Sequence, residues 1–244
     1  MIKAMYANWP APNNVHALTT LRQGGCSNAP YHSLNLGSHV GDDLNHVLEN
    51  RSIVTQSLGL SNEPIWLNQT HSTNVIDIAS YQSIDADASY SKQRNAVSAI
   101  LTADCLPVLF CSQQGDEVAA AHAGWRGLCH GILENTVSYF TCRPAQIMAW
   151  LGPAIGPQKF EVGAEVKAQF ERHDLDASNA FQLVNPHEQK YLANLYLLAR
   201  QRLNKLGIYQ IYGGENCTYS ESELFYSYRR EPQTGRMASL IWFE

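Results

Sequence analysis

The stretch Ser98-Ala-Ile-Leu-Thr-Ala-Asp-Cys-Leu-Pro-Val-Leu-Phe-Cys111 consists of two apolar runs that are separated by an Asp-Cys pair. Apolar runs of this length are typical of buried strands. The runs Ser98–Ala103 and Pro107–Cys111 therefore predict two strands that meet at a bend. A third apolar run, Glu117–His122, predicts a further buried strand.

The rest of the chain mixes helical and strand patterns. Apolar residues at helical spacing predict helices over about 44–58, 127–140, 163–172 and 188–206. Short apolar runs predict strands at Ile147–Leu151, Ile208–Tyr212, Leu224–Tyr228 and Met237–Phe243. The helices and strands do not alternate strictly, which favours an α+β domain of mixed sheets over a doubly wound parallel sheet. With 244 residues, 45% of them hydrophobic, and no linker, we predict one layered domain over residues 1–244.

The composition limits the partners of the protein. The formal net charge is -5, and the 17 lysines and arginines are scattered, which argues against a nucleic acid or an anionic membrane as partner. No window approaches about 18 consecutive apolar residues, so we expect no membrane-spanning helix. Residues 1–10 lack the basic start and apolar core of a signal peptide, and the six cysteines form no C-x-x-C pair. We therefore expect a cytoplasmic protein.

Cys105 lies where the first apolar stretch breaks. A lone cysteine beside a strand is usually a small buried hydrophobic residue. Here Asp104 precedes the thiol and Pro107 follows it. A purely structural cysteine needs neither a charge nor a bend, so the context favours a chemical role.

His122 lies at the end of an apolar strand, in Ala121-His-Ala-Gly-Trp-Arg-Gly127. A core histidine is the plain alternative. A strand end that opens into a turn and a helix often binds ligands, and the start of a helix offers free N–H groups. Arg126 adds a fixed positive fork. We expect a phosphate or another anion beside His122.

His71 is the third candidate residue, because it could supply a third ligand to a metal ion together with Cys105 and His122. It lies in the polar segment Asn68-Gln-Thr-His-Ser-Thr-Asn74, where a surface histidine is the alternative. Three protein ligands with an open fourth position are typical of catalytic zinc. Cys105 and His122 alone would instead form the nucleophile and base of a cysteine hydrolase. The separations of 34 and 17 residues between the three positions exclude a zinc finger or ribbon, and both interpretations stay open.

A set of further short segments occurs in order along the whole chain. The segments are Thr20-Leu-Arg-Gln-Gly-Gly25, Ser33-Leu-Asn-Leu-Gly37, Gly41-Asp-Asp43, Asn50-Arg51, Asn68-Gln-Thr-His71, Asp85-Ala-Asp87, Thr102–Val108, Ala121–Gly127, Gly152-Pro-Ala-Ile-Gly-Pro157, Cys217-Thr218, Phe225-Tyr-Ser-Tyr-Arg-Arg230 and Thr234-Gly-Arg-Met-Ala238. Together they resemble the YfiH family, also called the laccase-domain or multicopper polyphenol oxidoreductase family, whose members are described largely as purine nucleoside phosphorylases.

This resemblance implies a fold, a metal and an activity. The fold is a single layered α+β domain that shares its plan with toxin-type cysteine hydrolases. The metal is one zinc per chain, with copper as the alternative ion, and the ligands are His71, Cys105 and His122. The activity is phosphorolysis of adenosine, inosine, guanosine or 5′-methylthioadenosine to the base and a ribose 1-phosphate. Deamination of adenosine is attributed to the same site, and copper-dependent phenol oxidation is the older description.

The reactions that the resemblance implies would need further side chains, and the sequence offers candidates for them. Asp104 is a candidate proton carrier beside the three ligands, which are themselves candidate catalytic groups. The candidates for holding substrate or phosphate are Gln69 and the arginines Arg51, Arg126 and Arg229. Arginine binds phosphate as a rigid fork, although an ordinary ion pair is the alternative for each of them. The expected partners are purine nucleosides and phosphate, and the chain could act as a monomer or a homodimer.

The residues fit two other activities poorly. A four-copper oxidase needs clusters of histidines, and this chain has nine histidines and no H-x-H pair, although one Cys/His₂ site could hold one copper. The H-x-E and P-C-x-x-C signature of zinc nucleoside deaminases is also missing. A non-catalytic nucleotide-binding or cell-wall module is disfavoured by the chemical specificity of Thr102-Ala-Asp-Cys105.

Overall fold

Two large mixed β-sheets pack face to face in the computed structural model, which describes residues 2–244. The strands are β1 Ala4–Tyr6, β2 Val15–Thr20, β3 Ile65–Trp66, β4 Val75–Asp77, β5 Ala88–Ser91, β6 Ser98–Thr102, β7 Leu106–Ser112, β8 Val118–Ala123, β9 Ile147–Leu151, β10 Glu161–Gly163, β11 Phe181–Asn185, β12 Lys190–Ala193, β13 Gln210–Gly213 and β14 Met237–Phe243. The helices are α1 Leu44–Ser57, α2 Trp125–His130, α3 Ile132–Val137, α4 Ala164–His173 and α5 Leu195–Lys205, with 3₁₀ turns at Pro144–Gln146 and Leu175–Ala180.

The sheets combine parallel and antiparallel pairs, as predicted for an α+β fold. The larger sheet has the order β13-β9-β7-β8-β5-β4, with parallel pairs only at its two edges. The five-stranded sheet has the order β1-β2-β14-β6-β3. A small antiparallel sheet, β10-β12-β11, lies beside α4.

Strand β7 connects the layers because its side chains alternate between two faces. One face packs against helices α2 to α5 and carries Leu106, Val108 and Phe110. The other face carries Leu109 and Cys111 and packs against the five-stranded sheet. A strand buried on both faces reads as a continuous apolar run, which is why this stretch of the sequence is so informative.

The outer face of the five-stranded sheet is covered by α1. Val54 of this helix packs against Leu101 of β6 and Leu240 of β14. The order of layers is therefore helix, sheet, sheet, helices. The chain passes from the first sheet to the second between β6 and β7, at the predicted bend around Asp104 and Cys105.

Several predicted elements are confirmed. Strands β9 and β14 have the predicted bounds, and helices α1 and α4 lie within a residue or two of theirs. Asp43 caps α1, since its side chain accepts the N–H of Asn45 at 2.8 Å. None of the helices within residues 2–244 is long and apolar enough to cross a membrane.

The helix predicted over 127–140 is wrong as a single element. It consists of α2, which begins at Trp125, and α3, with Gly131 between them. Gly131 has a φ of 104°, in the left-handed region that commonly ends a helix. Leu128, Ile132 and Leu133 are nevertheless fully buried, so the helical spacing holds across the break.

The helix predicted over 188–206 begins too early. Residues Lys190–Ala193 form β12, which pairs with β10 on one side and β11 on the other. Helix α5 starts only after Asn194, whose side chain accepts the N–H of Leu197 at 3.0 Å. The capping asparagine, rather than the apolar spacing, marks where the helix begins.

The strand predicted at Leu224–Tyr228 is absent from the described residues, and the segment forms turns. Phe225 and Tyr226 are fully buried in a small core that includes Met237. The Tyr226 hydroxyl donates to the backbone oxygen of Tyr31 at 2.7 Å. The segment is apolar because it fills a space under loops, which periodicity alone does not distinguish from a strand.

Candidate metal centre and its cavity

The bend between β6 and β7 presents the Cys105 thiol to a cavity. Asp104 has a φ of 98°, which is strained for any residue other than glycine. Its carboxylate accepts the hydroxyl of Thr218 at 2.6 Å and the backbone N–H of Arg229 at 2.7 Å. Its backbone oxygen accepts the N–H of Ile155 at 2.9 Å. These contacts fix the strained backbone and thereby the direction of Cys105.

The His71 loop is held by one buried carboxylate. His71 has a φ of 61°. Asp87, fully buried just before β5, accepts the backbone N–H groups of Thr70, His71 and Ser72 at 3.2, 3.0 and 2.6 Å. It also accepts the Ser72 hydroxyl at 2.7 Å. The carboxylate therefore compensates for the strained loop and aims the His71 ring.

Gln69 fastens the same loop to the five-stranded sheet. Its amide nitrogen donates to the backbone oxygen of Leu101, and its amide oxygen accepts the Leu101 N–H, both at 2.8 Å. Gln69, a candidate for holding substrate or phosphate, borders the cavity. Because both ends of its amide are used by Leu101, its observed contacts are those of a residue that positions the loop.

His122 is oriented by Asp87 as well. The distance from His122 Nδ1 to the Asp87 carboxylate is 2.7 Å, and both side chains are buried. This contact leaves Nε2 as the free ring nitrogen. A carboxylate behind a histidine is the usual arrangement around a ligating imidazole, because it fixes the tautomer and the ring orientation.

The three predicted ligands come together. The nitrogen and sulfur atoms that could ligate lie within 4.8 Å of one another, and His71 Nε2 is 3.7 Å from Cys105 Sγ. Zinc bonds of about 2.0–2.3 Å place tetrahedral ligand atoms roughly 3.3–3.8 Å apart. His122 is buried, Cys105 is half-buried and His71 is exposed, so the set is open on its cavity side. The donor types and their spacing fit a metal ion such as zinc or copper.

Gly124 is required by this close approach. A Cβ atom at this position would lie 2.8 Å from His71 Cδ2 and 3.0 Å from Cys105 Sγ. Both distances are too short for a carbon atom that the backbone holds fixed. The glycine in Ala-Gly-Trp-Arg therefore makes room for the ligands, a role that the sequence pattern did not reveal.

Electrostatics in the metal-free site favour a thiolate. Burial alone would raise the pKa of Cys105, but the neighbouring His122 and His71 outweigh it and lower the pKa to about 6. Burial would lower the pKa of His122, but the Cys105 thiolate and Asp87 raise it to about 9. For Asp87, hydrogen bonds from His122 and Ser72 outweigh burial and lower the pKa to about 2. A thiolate is the form that binds metals and attacks electrophiles.

The cavity above the three ligands has a volume of about 520 Å³, within the range of small-molecule sites. Aromatic side chains border it, namely Trp125, Phe160 and Tyr228. Of the predicted arginines, Arg126 and Arg229 border it as well. Arg51 does not: its guanidinium donates to the backbone oxygen of Leu36 and lies over the Trp66 ring.

Three residues around the site escaped the sequence-based prediction. Asp87 stands in the quoted Asp85-Ala-Asp87, directly before an apolar strand, which is a signal that could have found it. Arg236 and His39 border the cavity from distant parts of the chain. Arg236 is half-buried, and its aliphatic stem packs where a Cβ on Gly37 would lie, at 2.7 Å. Only the folded chain brings these positions together.

Comparisons with known proteins identify the family of this chain. Residues 16–244 match the family model described as multi-copper polyphenol oxidoreductase laccase. A protein of Haemophilus influenzae named purine nucleoside phosphorylase is 56% identical over all of both chains. The purine nucleoside phosphorylase YfiH of Escherichia coli K12 is 54% identical over 99% of each. This chain belongs to the YfiH family.

The layered fold is likewise that of YfiH proteins. A crystal structure of a Neisseria meningitidis protein superposes with a TM-score of 0.93 at 47% identity, covering 99% of each chain. The crystal structure of YfiH from Bacillus licheniformis gives 0.87 at 32% identity, covering 95% of this chain and 94% of the other. The mixed α+β architecture predicted from the sequence is thus confirmed, and the YfiH relatives carry enzyme names.

Proposed function

We propose that this protein is a zinc-dependent purine nucleoside phosphorylase. The observation that carries the proposal is the Cys/His₂ set, braced by Asp87, at the floor of a cavity with aromatic and arginine walls. The names of the bacterial relatives support the substrate class. We include adenosine, inosine, guanosine and 5′-methylthioadenosine as substrates, with adenosine deamination as a second activity of the same site.

The walls of the cavity suit a purine nucleoside. Trp125, Phe160 and Tyr228 offer aromatic faces against which a planar base can stack. Thr102, at the end of β6, also borders the cavity.

Arginine side chains supply the positive charge for phosphate. Arg126 is exposed, lies over the Trp125 ring and forms no salt bridge within residues 2–244. The Arg229 guanidinium lies over the Phe160 ring, and one of its nitrogens donates a hydrogen bond to the backbone oxygen of Glu161. Helix α2 has only six residues, so these guanidinium groups, rather than the helix, provide the charge. We assign phosphate binding to Arg126 and Arg229, with Arg236 as a third contributor.

In phosphorolysis, a phosphate oxygen bonds to ribose C1′ while the bond from C1′ to the base breaks, and the leaving base takes up a proton. When bound, zinc supplies Lewis acidity to the reactants. His71, Cys105 and His122 hold it, and Asp87 fixes the ring of His122. The sequence makes Asp104 a candidate proton carrier. Its two carboxylate oxygens are occupied by Thr218 and Arg229, so we assign it the positioning of the bend.

Product identification tests the proposal. Zinc-replete protein with adenosine and phosphate should yield adenine and ribose 1-phosphate, and deamination should yield inosine. Omitting phosphate separates the two reactions, since only phosphorolysis requires it. If neither inosine nor adenosine gives free base with phosphate, the proposed function is wrong.

A metal-free cysteine hydrolase is the second candidate, and one observation favours it. Cys105, His122 and Asp87 form a chain of nucleophile, base and orienting carboxylate. In that mechanism the second imidazole near the thiol, His71, has no role. Activity that survives thorough chelation would support the hydrolase, whereas activity lost on chelation and restored by zinc would exclude it.

Copper-dependent phenol oxidation is the alternative function, and the description of the matching family model refers to it. A single Cys/His₂ set can hold one copper ion but not a four-copper centre. Oxygen consumption with a phenol that scales with copper occupancy would support this alternative. We expect no such scaling in zinc-replete protein.

A further inference from the structure

A second group of metal-binding side chains lies at the far end of α2. The ligand atoms of Cys129, His130 and His173 are all within 4.8 Å of one another. The two imidazole rings meet edge to face, with centroids 6.2 Å apart. This is the same donor set, one thiol and two imidazoles, as in the candidate metal centre, but its rings lie farther apart than the 4.8 Å between the centroids of His71 and His122. Small rotations of exposed side chains would bring such atoms to the roughly 3.3–3.8 Å of tetrahedral zinc ligands.

The surroundings of this group suit a cation. His173 is the last residue of α4, where the helix dipole is negative and favours positive charge. Both histidines are exposed, so an ion can reach them from solvent, while Cys129 is fully buried beneath them. A buried thiolate is a ligand that water cannot easily replace.

Nearby charges are already balanced. Arg202 donates to the backbone oxygen of Cys129 at 3.1 Å and pairs with the Glu134 carboxylate at 2.7 Å. The second carboxylate oxygen of Glu134 is buried and has no hydrogen-bond partner within the described residues. The positive charge of Arg202 is therefore offset by Glu134. The unpaired Glu134 oxygen is a further possible acceptor, and it lies in the first turn of α3, the helix that follows His130.

We propose that Cys129, His130 and His173 form a second site for a divalent transition metal of the zinc class. The site joins the C-terminal ends of α2 and α4. Helix α2 begins with Trp125 and Arg126 of the cavity wall, and α4 follows the segment that carries Phe160. An ion here would tie α2, which borders the cavity, to α4, which follows a cavity segment, at a distance from the reacting groups.

Zinc stoichiometry after equilibrium dialysis tests the proposal. The unaltered protein should bind two ions per chain and His173→Gln one. His187→Gln, which changes an exposed histidine in the β11–β12 turn, is the matched control and should bind two. If His173→Gln binds as many ions as the unaltered protein, the second site does not exist.

Combination with Cys105→Ser separates this claim from the proposed function. Cys105→Ser should keep one ion, and Cys105→Ser with His173→Gln should keep none. In the Cys105→Ser background, zinc should raise the melting temperature, because an ion that binds only the folded chain stabilises it. Cobalt in that background should show a thiolate charge-transfer band from Cys129. Absence of both the shift and the band would overturn the second site and leave the central one untouched.

Discussion

Asp87 is the residue on which the candidate site depends most. Its carboxylate accepts hydrogen bonds from the backbone around His71, from the Ser72 hydroxyl and from the ring of His122. One buried charge thus orients two of the three ligands. Removing it would release the strained His71 loop and the His122 tautomer together.

Asp87→Asn should weaken metal binding while leaving the chain folded. An amide cannot accept these N–H groups with full charge, and loss of the carboxylate behind a ligating histidine typically lowers metal affinity about 10–100-fold. Competition against a chelator of known zinc affinity measures the change. Asp85→Asn is the matched control, since Asp85 is exposed and its carboxylate accepts a hydrogen bond from the Asn68 side chain rather than from the backbone around a ligand. Equal affinities of the two variants would contradict the role given to Asp87.

Gly124→Ala should displace the ligands by steric overlap alone. The added methyl group would lie within about 3 Å of His71 and Cys105, and overpacking of this kind costs about 1–3 kcal/mol. We expect loss of bound zinc with the circular dichroism spectrum unchanged. Gly163→Ala is the control, because the atoms near its new methyl group belong to the exposed side chain of Glu165. Full zinc occupancy in Gly124→Ala would show that the site is looser than described.

The Cys105 thiol should lose its proton at an unusually low pH in protein from which the metal has been removed. Its pKa is lowered to about 6, against an ordinary value of about 8.5, so the thiolate dominates at pH 7 and is lost as the pH falls below about 6. Alkylation of Cys105, followed by mass spectrometry between pH 5 and 9, should reach half its maximal rate near pH 6. Cys111, whose pKa burial raises to about 12, should not react over this range. A midpoint for Cys105 above pH 8 would contradict the electrostatics.

The candidate metal ligands could be predicted from the sequence, but the residues that position them could not. Unusual local sequence identified Cys105 and His122, and His71 was added because it supplies a third ligand, which the family resemblance also implies. Asp87, Gly124 and Arg236 act through contacts with residues far along the chain. Arg51 was a candidate for binding phosphate together with Arg126 and Arg229, yet it contacts Leu36 and Trp66 instead of the cavity. A side chain's partner depends on the fold, which local sequence does not encode.

At the scale of elements, capping residues determine where the helices begin and end more than the apolar periodicity does. Helix α5 follows a strand that carries apolar residues at spacings compatible with either structure. Asn194 marks the change, because its side chain satisfies a free N–H group of the first turn. Likewise Gly131 divides α2 from α3. Asn194 and Gly131 are the local signals for these boundaries, but the apolar spacing continues across both of them and does not reveal the breaks.

Asn194→Ala should therefore lower the free energy of unfolding by about 1 kcal/mol, within the range of about 0.5–2 kcal/mol for lost caps. Urea denaturation measures the difference. Asn204→Ala, at an exposed position near the end of the same helix, should cost nothing or stabilise slightly, because alanine favours helices. The element account fails if the two substitutions have the same effect.

The whole molecule explains why distant segments meet. The step from β6 to β7 carries the chain from one sheet to the other and leaves Cys105 at the crossing. Strand β8 then delivers His122, and the loops before β4 and after β9 close around them. The sequence predicted a layered α+β fold of mixed sheets, whereas it did not predict the order of the layers or of the strands, because pairing partners lie far apart in sequence. That residues 1–244 form a single domain stays a prediction.

The most direct test of the central claim is inosine phosphorolysis measured against zinc content. Zinc-free protein is titrated with zinc, and ribose 1-phosphate formation is followed in the unaltered chain and in Cys105→Ser. The account predicts activity that rises in proportion to occupancy of the central site and is absent in Cys105→Ser at every zinc concentration. Activity that is full in zinc-free protein, or unchanged in Cys105→Ser, would contradict it.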